Sequence, residues 1–399
     1  DKKMINHVSY TLGLFLILFV YLLNLKVVFP PYYMILPIAF LGGLLFYLNL
    51  NNFGRVNKIF VSQLFLLLGF LFFWSISSII NSVSSYDYIK EIFITSILFL
   101  FSALFINYYT RNKDPDFVIT MIGQVVVFQL LLSFIAYLSP TFFNIIFSIV
   151  QVDNLEGDTL AAFNDARMVG VGKSFFGLGV LNCITLLLLA FQISKKTKYI
   201  VWDVIAYITI AFVGFLGART TIVGFLLSLI LFYKNPKIIL KSILGLFFLI
   251  VLVIPFYNIL IQNDKIILLK DFGFDLLLDT DDSQAAQSFG KLTSMFDIYP
   301  DNLKTWVFGD VFYRTEDGGY YKNTDVGYFR IIFSGGIIGL IYYMFVSFFM
   351  ILKSRFIQQS KVLMFLLILL FLVLNFKGVA NIYYFLAILL FLKTGGRSK

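Results

Sequence analysis

Apolar runs long enough to cross a bilayer recur along the whole chain, and short polar connectors interrupt them in a regular order. A spanning helix needs roughly 20 mostly apolar residues. By that measure the pattern predicts twelve helical spans near residues 9–27, 32–50, 59–80, 91–109, 116–138, 175–194, 199–217, 220–233, 238–261, 328–351, 361–376 and 380–393. Spans seven and eight are nearly continuous and the last is short, so eleven to thirteen spans is the expected range. The fold class expected is an all-α polytopic membrane protein, a single membrane domain over residues 1–399. No small-residue cleavage site follows the first span, which is expected to be retained.

The connectors orient the spans. Lysine and arginine gather at Arg55 and Lys58, Arg111 and Lys113, Lys195, Lys196 and Lys198, Lys234, Lys237 and Lys241, and Lys353, Arg355 and Lys361. These groups follow spans two, four, six, eight and ten. Basic residues in short loops mark the cytoplasmic side, so both termini are expected there. The opposite connectors include two long segments, residues 139–174 and 262–327, both expected to face away from the cytoplasm. The second has room for short helices of its own, such as one around Asp282–Phe296. Connectors of that length are uncommon without a function.

Composition sharpens the reading. Hydrophobic residues are 60% of the 399 and charged residues 13%, more apolar surface than a soluble domain can bury. The net charge of +9 follows largely from the cytoplasmic connectors, so it does not require nucleic acid. Cys183 is the only cysteine and His7 the only histidine. That excludes an internal disulfide, a cysteine-based metal cluster and an outer-face Ser-His-Asp triad; no metal and no cofactor are expected. No fixed-period repeat and no Walker, Rossmann or kinase motif is present, which argues against ATP-driven transport by this chain alone.

The candidate chemistry lies in the basic residues assigned to the outer side. Arg219 sits in Gly217-Ala218-Arg219-Thr220 between two apolar runs. A charged residue within the membrane is costly and usually faces a bundle interior or a wet cavity; snorkelling to the interface is the plainer alternative. Arg167 and Lys173 lie in a glycine-containing stretch, with Asp165 just upstream, that leads into span six, where helix-start amides favour anions. Asp325, Tyr328 and Arg330 lie where span ten begins. Asp325 suits a helix cap, and the pair Gly335-Gly336 suits close helix packing. Arg314 is expected to be solvated or paired with Glu316 or Asp317, and Lys377 occupies the turn between the last two spans. Arginine suits bidentate phosphate contact. Tyr299, Trp306, Tyr313, Tyr320, Tyr321 and Tyr328 suit either stacking on sugar faces or an ordinary aromatic belt. An anionic head group bearing sugar on a lipid tail would meet all of these requirements.

At this point the chain resembles the O-antigen and capsular polysaccharide polymerase family, with the related O-antigen ligases. The resemblance rests on the span pattern, on Arg167-Met168-Val169-Gly170, on Gly217-Ala218-Arg219-Thr220, on Trp306-Val307-Phe308-Gly309, and on Asn323-Thr324-Asp325-Val326-Gly327-Tyr328 followed by Gly335-Gly336-Ile337-Ile338-Gly339. It departs from the family at Asp310, where another glycine often follows, and no histidine stands near Thr324 or Asp325 as it typically does in ligases. The resemblance implies a membrane glycosyltransferase fold of the C type. It implies transfer between two undecaprenyl-pyrophosphate-linked oligosaccharides on the outer leaflet of the bacterial cytoplasmic membrane, with a chain-length regulator and a flippase as partners. It implies Arg219 and Arg167 at the donor pyrophosphate, with Asp325 or Asp165 orienting or deprotonating the acceptor hydroxyl. Arg314 or Arg330 would hold the second pyrophosphate or the glycan, with Lys173, Lys377 and Tyr328 as further binding residues. A ligase, and a flippase for the same lipid-linked units, are the alternatives.

Overall fold

The computed structural model describes residues 2–29, 32–49, 54–83, 85–152, 160, 164, 167–173, 175–233, 265, 267–268, 290, 293–315 and 319–392. Helices occupy eleven of the twelve predicted span positions. The ninth, residues 238–261, lies outside the described residues, as do Asp165 and most of the helix expected around Asp282–Phe296. The helices are α1 (Lys2–Leu23), α2 (Ile35–Leu48), α3 (Arg55–Asn81), a π-helix (Ile89–Ile94) running into α4 (Thr95–Tyr109), α5 (Pro115–Leu138), α6 (Pro140–Ile149), α7 (Phe175–Lys195), α8 (Ile200–Gly217), α9 (Thr221–Leu229), α10 (Leu303–Phe308), α11 (Gly327–Lys353), α12 (Lys361–Leu374) and α13 (Tyr383–Phe391).

Among the described residues six helical stretches are long and apolar enough to cross a membrane: Val56–Asn81, Ile89–Tyr109, Pro115–Leu138, Phe175–Lys195, Ile200–Gly217 and Gly327–Lys353. This is the architecture of a mostly helical protein, as expected for an all-α membrane class. Other predicted spans form shorter helices. The 14 residues of α2 or α12 rise about 21 Å, less than a hydrocarbon core about 30 Å thick.

The described residues fall into two compact units, Asp1–Met34 with Asn112–Gln287, and Ile35–Arg111 with Ser288–Lys399. In the first unit α7 is the central element. Fully 89% of its apolar window is buried, so a helix that is apolar all round finds protein on every side. Gly123 of α5 admits Leu189 of α7 at a distance no Cβ would allow. Polar groups join the helix ends: Thr120 of α5 donates to Asp203 of α8 at 2.7 Å, and Gln192 of α7 donates to the Asp116 carbonyl at 3.0 Å. Proline at the first helical position and a side-chain cap start α5 and α6. Asp114 accepts from the Asp116 amide, and Ser139 from the Phe142 amide. The connector 139–174 is therefore partly structured. Besides α6 it contributes β3 (Val150–Gln151), which pairs antiparallel with β1 (Lys26–Val27), itself paired with β2 (Tyr32–Tyr33). This small three-stranded sheet departs from the all-helical expectation.

In the second unit α2 lies against α4, and a side chain at Gly42 would strike the Phe101 backbone. Only 22% of the apolar window of α3 is buried, leaving Phe65, Phe72 and Ile79 exposed. Across water that face would be unstable; against lipid it needs no protein partner. Tyr343 of α11 donates to the Ala380 carbonyl at 2.8 Å, and Ser354 to the Leu389 carbonyl at 2.8 Å, so two hydroxyls hold α13 against α11. Helix α11 is not continuous. Gly336 has φ +69° and ψ −175°, and a Cβ there would lie 2.0 Å from the Val307 carbonyl oxygen. Gly309, with φ +74°, fits against the Gly335 and Gly336 amides in the same way. The pair Gly335-Gly336 thus breaks a helix to receive the end of α10, where close helix packing was expected. A Cβ on Gly335 would meet nothing within 4 Å.

Candidate functional site

In the first unit the sequence Gly217-Ala218-Arg219-Thr220 becomes the turn between α8 and α9. Three short bonds close it: the amides of Thr221, Ile222 and Val223 donate to the carbonyls of Ala218, Arg219 and Thr220 at 2.9, 3.1 and 3.0 Å. From α7, Asn182 donates to the Thr221 hydroxyl at 3.1 Å, and Thr221 donates to the Gly214 carbonyl at 3.0 Å. Gly179 and Gly224 give the clearance: a Cβ on either would fall within 3 Å of Thr220 or Cys183 respectively. A turn held this way presents Arg219, half-buried, from fixed backbone.

The segment 167–173 comes to the same place. A Cβ on Gly217 would lie 2.5 Å from the Met168 methyl, so Met168 packs directly on the Arg219 turn. The Arg167 guanidinium carbon sits 3.5 Å from the centre of the Phe175 ring, a cation–π contact. Ser133 of α5 accepts from the Val171 amide at 3.2 Å. Gly170 must be glycine because the Lys173 carbonyl lies where its Cβ would be, and Gly172 has φ +74°, a conformation glycine adopts without cost. Burial, and secondarily the charge of Arg219, push the Arg167 pKa down to about 10. Two arginines from separate stretches of sequence are therefore close enough to repel each other. Lys173 is half-buried at the foot of α7.

In the second unit Arg330 is 8% exposed. Its guanidinium carbon lies 3.6 Å from the Tyr320 ring centre and 4.4 Å from that of Tyr313. No carboxylate pairs with it among the described residues, and its Nε has no hydrogen-bond partner among them. Arg314 pairs with Glu91 at 3.3 Å; Glu316 and Asp317, its expected alternatives to solvent, lie outside the described residues. Glu91 belongs to the π-helix, an irregularity frequent at functional positions. Tyr313 is buried, which raises its pKa, an effect that Arg330 partly offsets. Sequence reasoning missed Glu91, although a lone acid at the start of an apolar run was a signal for it. Tyr313 and Tyr320, for which sugar stacking and an aromatic belt were both open, lie against the Arg330 guanidinium.

Three further sequence candidates, Asp325, Tyr328 and Lys377, lie in the second unit. Asp325 is exposed and does not cap α11: the cap position is Val326, with no side-chain cap, and Thr324 accepts from the Val326 amide at 3.3 Å. The Tyr328 hydroxyl donates to the Leu372 carbonyl at 2.6 Å, a bond that ties α11 to α12. Lys377 is exposed in the turn after α12, its amide donating to the Leu374 carbonyl at 3.0 Å.

Each unit thus carries an arginine set against aromatic rings, and in the second Arg330 is buried with no carboxylate beside it among the described residues. Buried unpaired charge is costly, and cation–π contact offsets only about 0.5–2 kcal/mol of that. An anionic ligand would offset that cost at Arg330. The chain matches no family model, no curated protein and no solved structure.

Proposed function

We propose that this chain is a membrane glycosyltransferase of the polymerase type, joining undecaprenyl-pyrophosphate-linked oligosaccharide repeat units on the outer leaflet of the bacterial cytoplasmic membrane. The observation that carries the reading is the convergence of Arg167 and Arg219, two cations held by separate loops against a glycine-lined turn. In the reaction an acceptor hydroxyl attacks the anomeric carbon of the donor sugar. The bond from that carbon to the pyrophosphate oxygen breaks, the leaving diphosphate takes the electron pair, and the hydroxyl proton passes to a base, to the diphosphate or to water. Arg167 and Arg219 bind that diphosphate and stabilise its growing charge. Arg330, clamped between tyrosines, and Arg314 hold the phosphate or glycan of the second lipid-linked chain. Twelve spans, a C-type glycosyltransferase fold and an outward-facing site belong to this proposal, as do a chain-length regulator and a flippase as partners.

Translocation of the same lipid-linked units is the second reading. The break in α11 at Gly336 favours it, because transporters bind substrate at interrupted helices. A ligase differs by needing an acceptor of another kind.

The test uses the purified full chain in liposomes with a synthetic undecaprenyl-pyrophosphate repeat unit. A ladder of evenly spaced products, absent with Arg219→Ala that still inserts, is the expected result. A normal ladder from Arg219→Ala would remove the central assignment. No ladder from a verified cognate substrate would overturn the polymerase reading, and movement of a labelled lipid across the vesicle would then identify a translocase.

A further inference from the structure

A cavity of about 220 Å³ opens in the second unit, in a part of the fold that the two arginine clusters do not use. Its wall is built from the end of α3, the segment before α10, and the loop 310–322. Asp310 lies in it. One carboxylate oxygen accepts from the Thr305 hydroxyl at 2.6 Å, and the other from the Tyr321 hydroxyl at 3.3 Å. An ionised carboxylate offers about four acceptor positions, so two remain to receive further O–H groups from one side. Beside it, Phe312 and Tyr321 stack with centroids 5.4 Å apart, and Phe333 meets Tyr321 edge-on at 5.8 Å. Lys322 completes the rim as a donor.

The backbone around the cavity is strained in a way that fixes this arrangement. Val311, Lys322 and Asn323 have φ of +75°, +57° and +54°. A β-branched residue in that region is a real outlier, and such outliers persist where the surroundings over-determine them. The Asp310 amide is anchored as well, donating to the Phe333 carbonyl at 2.5 Å.

We infer that this cavity is a sugar-binding subsite that takes one neutral pyranose ring, with adjacent hydroxyls on Asp310 and the C–H face on Phe312 and Tyr321. A carboxylate with two open acceptor positions, a lysine donor and an aromatic wall match a hydroxylated ring with one apolar face. The volume suits a single ring and excludes a polyprenyl chain. The lining carries Asp301 and Asp310 against Lys322 alone, which disfavours phosphate. No group of three metal-ligating acids, histidines or cysteines occurs among the described residues, so a bound cation is the less favoured occupant. That the sugar belongs to a lipid-linked glycan rests on the polymerase reading; the chemistry of the cavity does not.

The test is saturation-transfer NMR on the full chain in detergent, with a panel of methyl glycosides of hexoses and N-acetylhexosamines. At least one glycoside is expected to receive saturation. Asp310→Asn should raise its Kd about tenfold, the loss of hydrogen bonds to a charged acceptor. Lys322→Gln, at an exposed position whose amine lies 5.7 Å from the Tyr321 ring centre, should weaken it severalfold, and it decides the matter if Asp310→Asn fails to fold. No transfer to any glycoside, or wild-type affinity in both variants, overturns the inference, as does a response to calcium alone. Sugar binding without a polymer ladder would sink the polymerase reading and leave the subsite standing. A ladder from a chain whose cavity binds no sugar would do the reverse.

Discussion

Arg330 shows why a residue's type matters more here than its charge. Its planar guanidinium lies between the rings of Tyr313 and Tyr320, a fit that lysine cannot reproduce. Arg330→Lys is therefore expected to lower polymer synthesis by about tenfold or more, of the order of one lost stacked cation contact. Equal product from Arg330→Lys and wild type would show that only charge counts there. At the other cluster, a pyrophosphate ligand should stabilise the protein by about 2.7 kcal/mol at a hundredfold excess over its Kd. Undecaprenyl pyrophosphate should accordingly raise the Tm of the wild type and leave Arg167→Gln unmoved; an equal shift in both would place the anion elsewhere. Arg219 was legible in the sequence because an arginine between two apolar runs is conspicuous. Glu91 as the partner of Arg314, 223 positions away, was not, because a side-chain pairing across that distance leaves no local pattern.

Among the elements, α11 makes the sharpest contrast. Gly336→Ala must place a Cβ on the Val307 carbonyl at a backbone angle unfavourable to side chains, and a loss of about 2–4 kcal/mol is expected from the combined clash and strain. Gly335→Ala meets open space and should change stability by no more than about 0.5 kcal/mol. Thermal unfolding of the two variants in detergent checks this, and similar Tm values would refute the break as described. Apolar runs located most of these helices, whereas the helix Pro140–Ile149, started by Pro140 after Ser139, lies inside what was expected to be a connector. The break inside α11 was not legible, because two adjacent glycines serve equally in a packed helix and in an interrupted one. Only the arriving α10 decides between them.

At the level of the whole molecule, sidedness is the open physical question, and the chain is suited to it. Its one cysteine, Cys183, is fully buried and should stay silent to a membrane-impermeant thiol reagent. In intact cells Asp301→Cys should react, whereas Lys196→Cys should react only after the membrane is opened. The opposite pattern would invert the positive-inside assignment and move the arginine clusters to the cytoplasm. The sequence alone determined the helical class, most helix positions and the expected orientation, because burial in lipid imposes one demand on every spanning segment: enough apolar length, with charges left outside. Tertiary structure alone decided which of those helices are full length, that Met168 brings the Arg167 segment onto the Arg219 turn, that Tyr313 and Tyr320 lie against Arg330, and that Asp310 opens onto a cavity. Those outcomes depend on contacts between distant segments, where glycine clearances and single hydroxyls choose among arrangements that the hydrophobic pattern leaves equal.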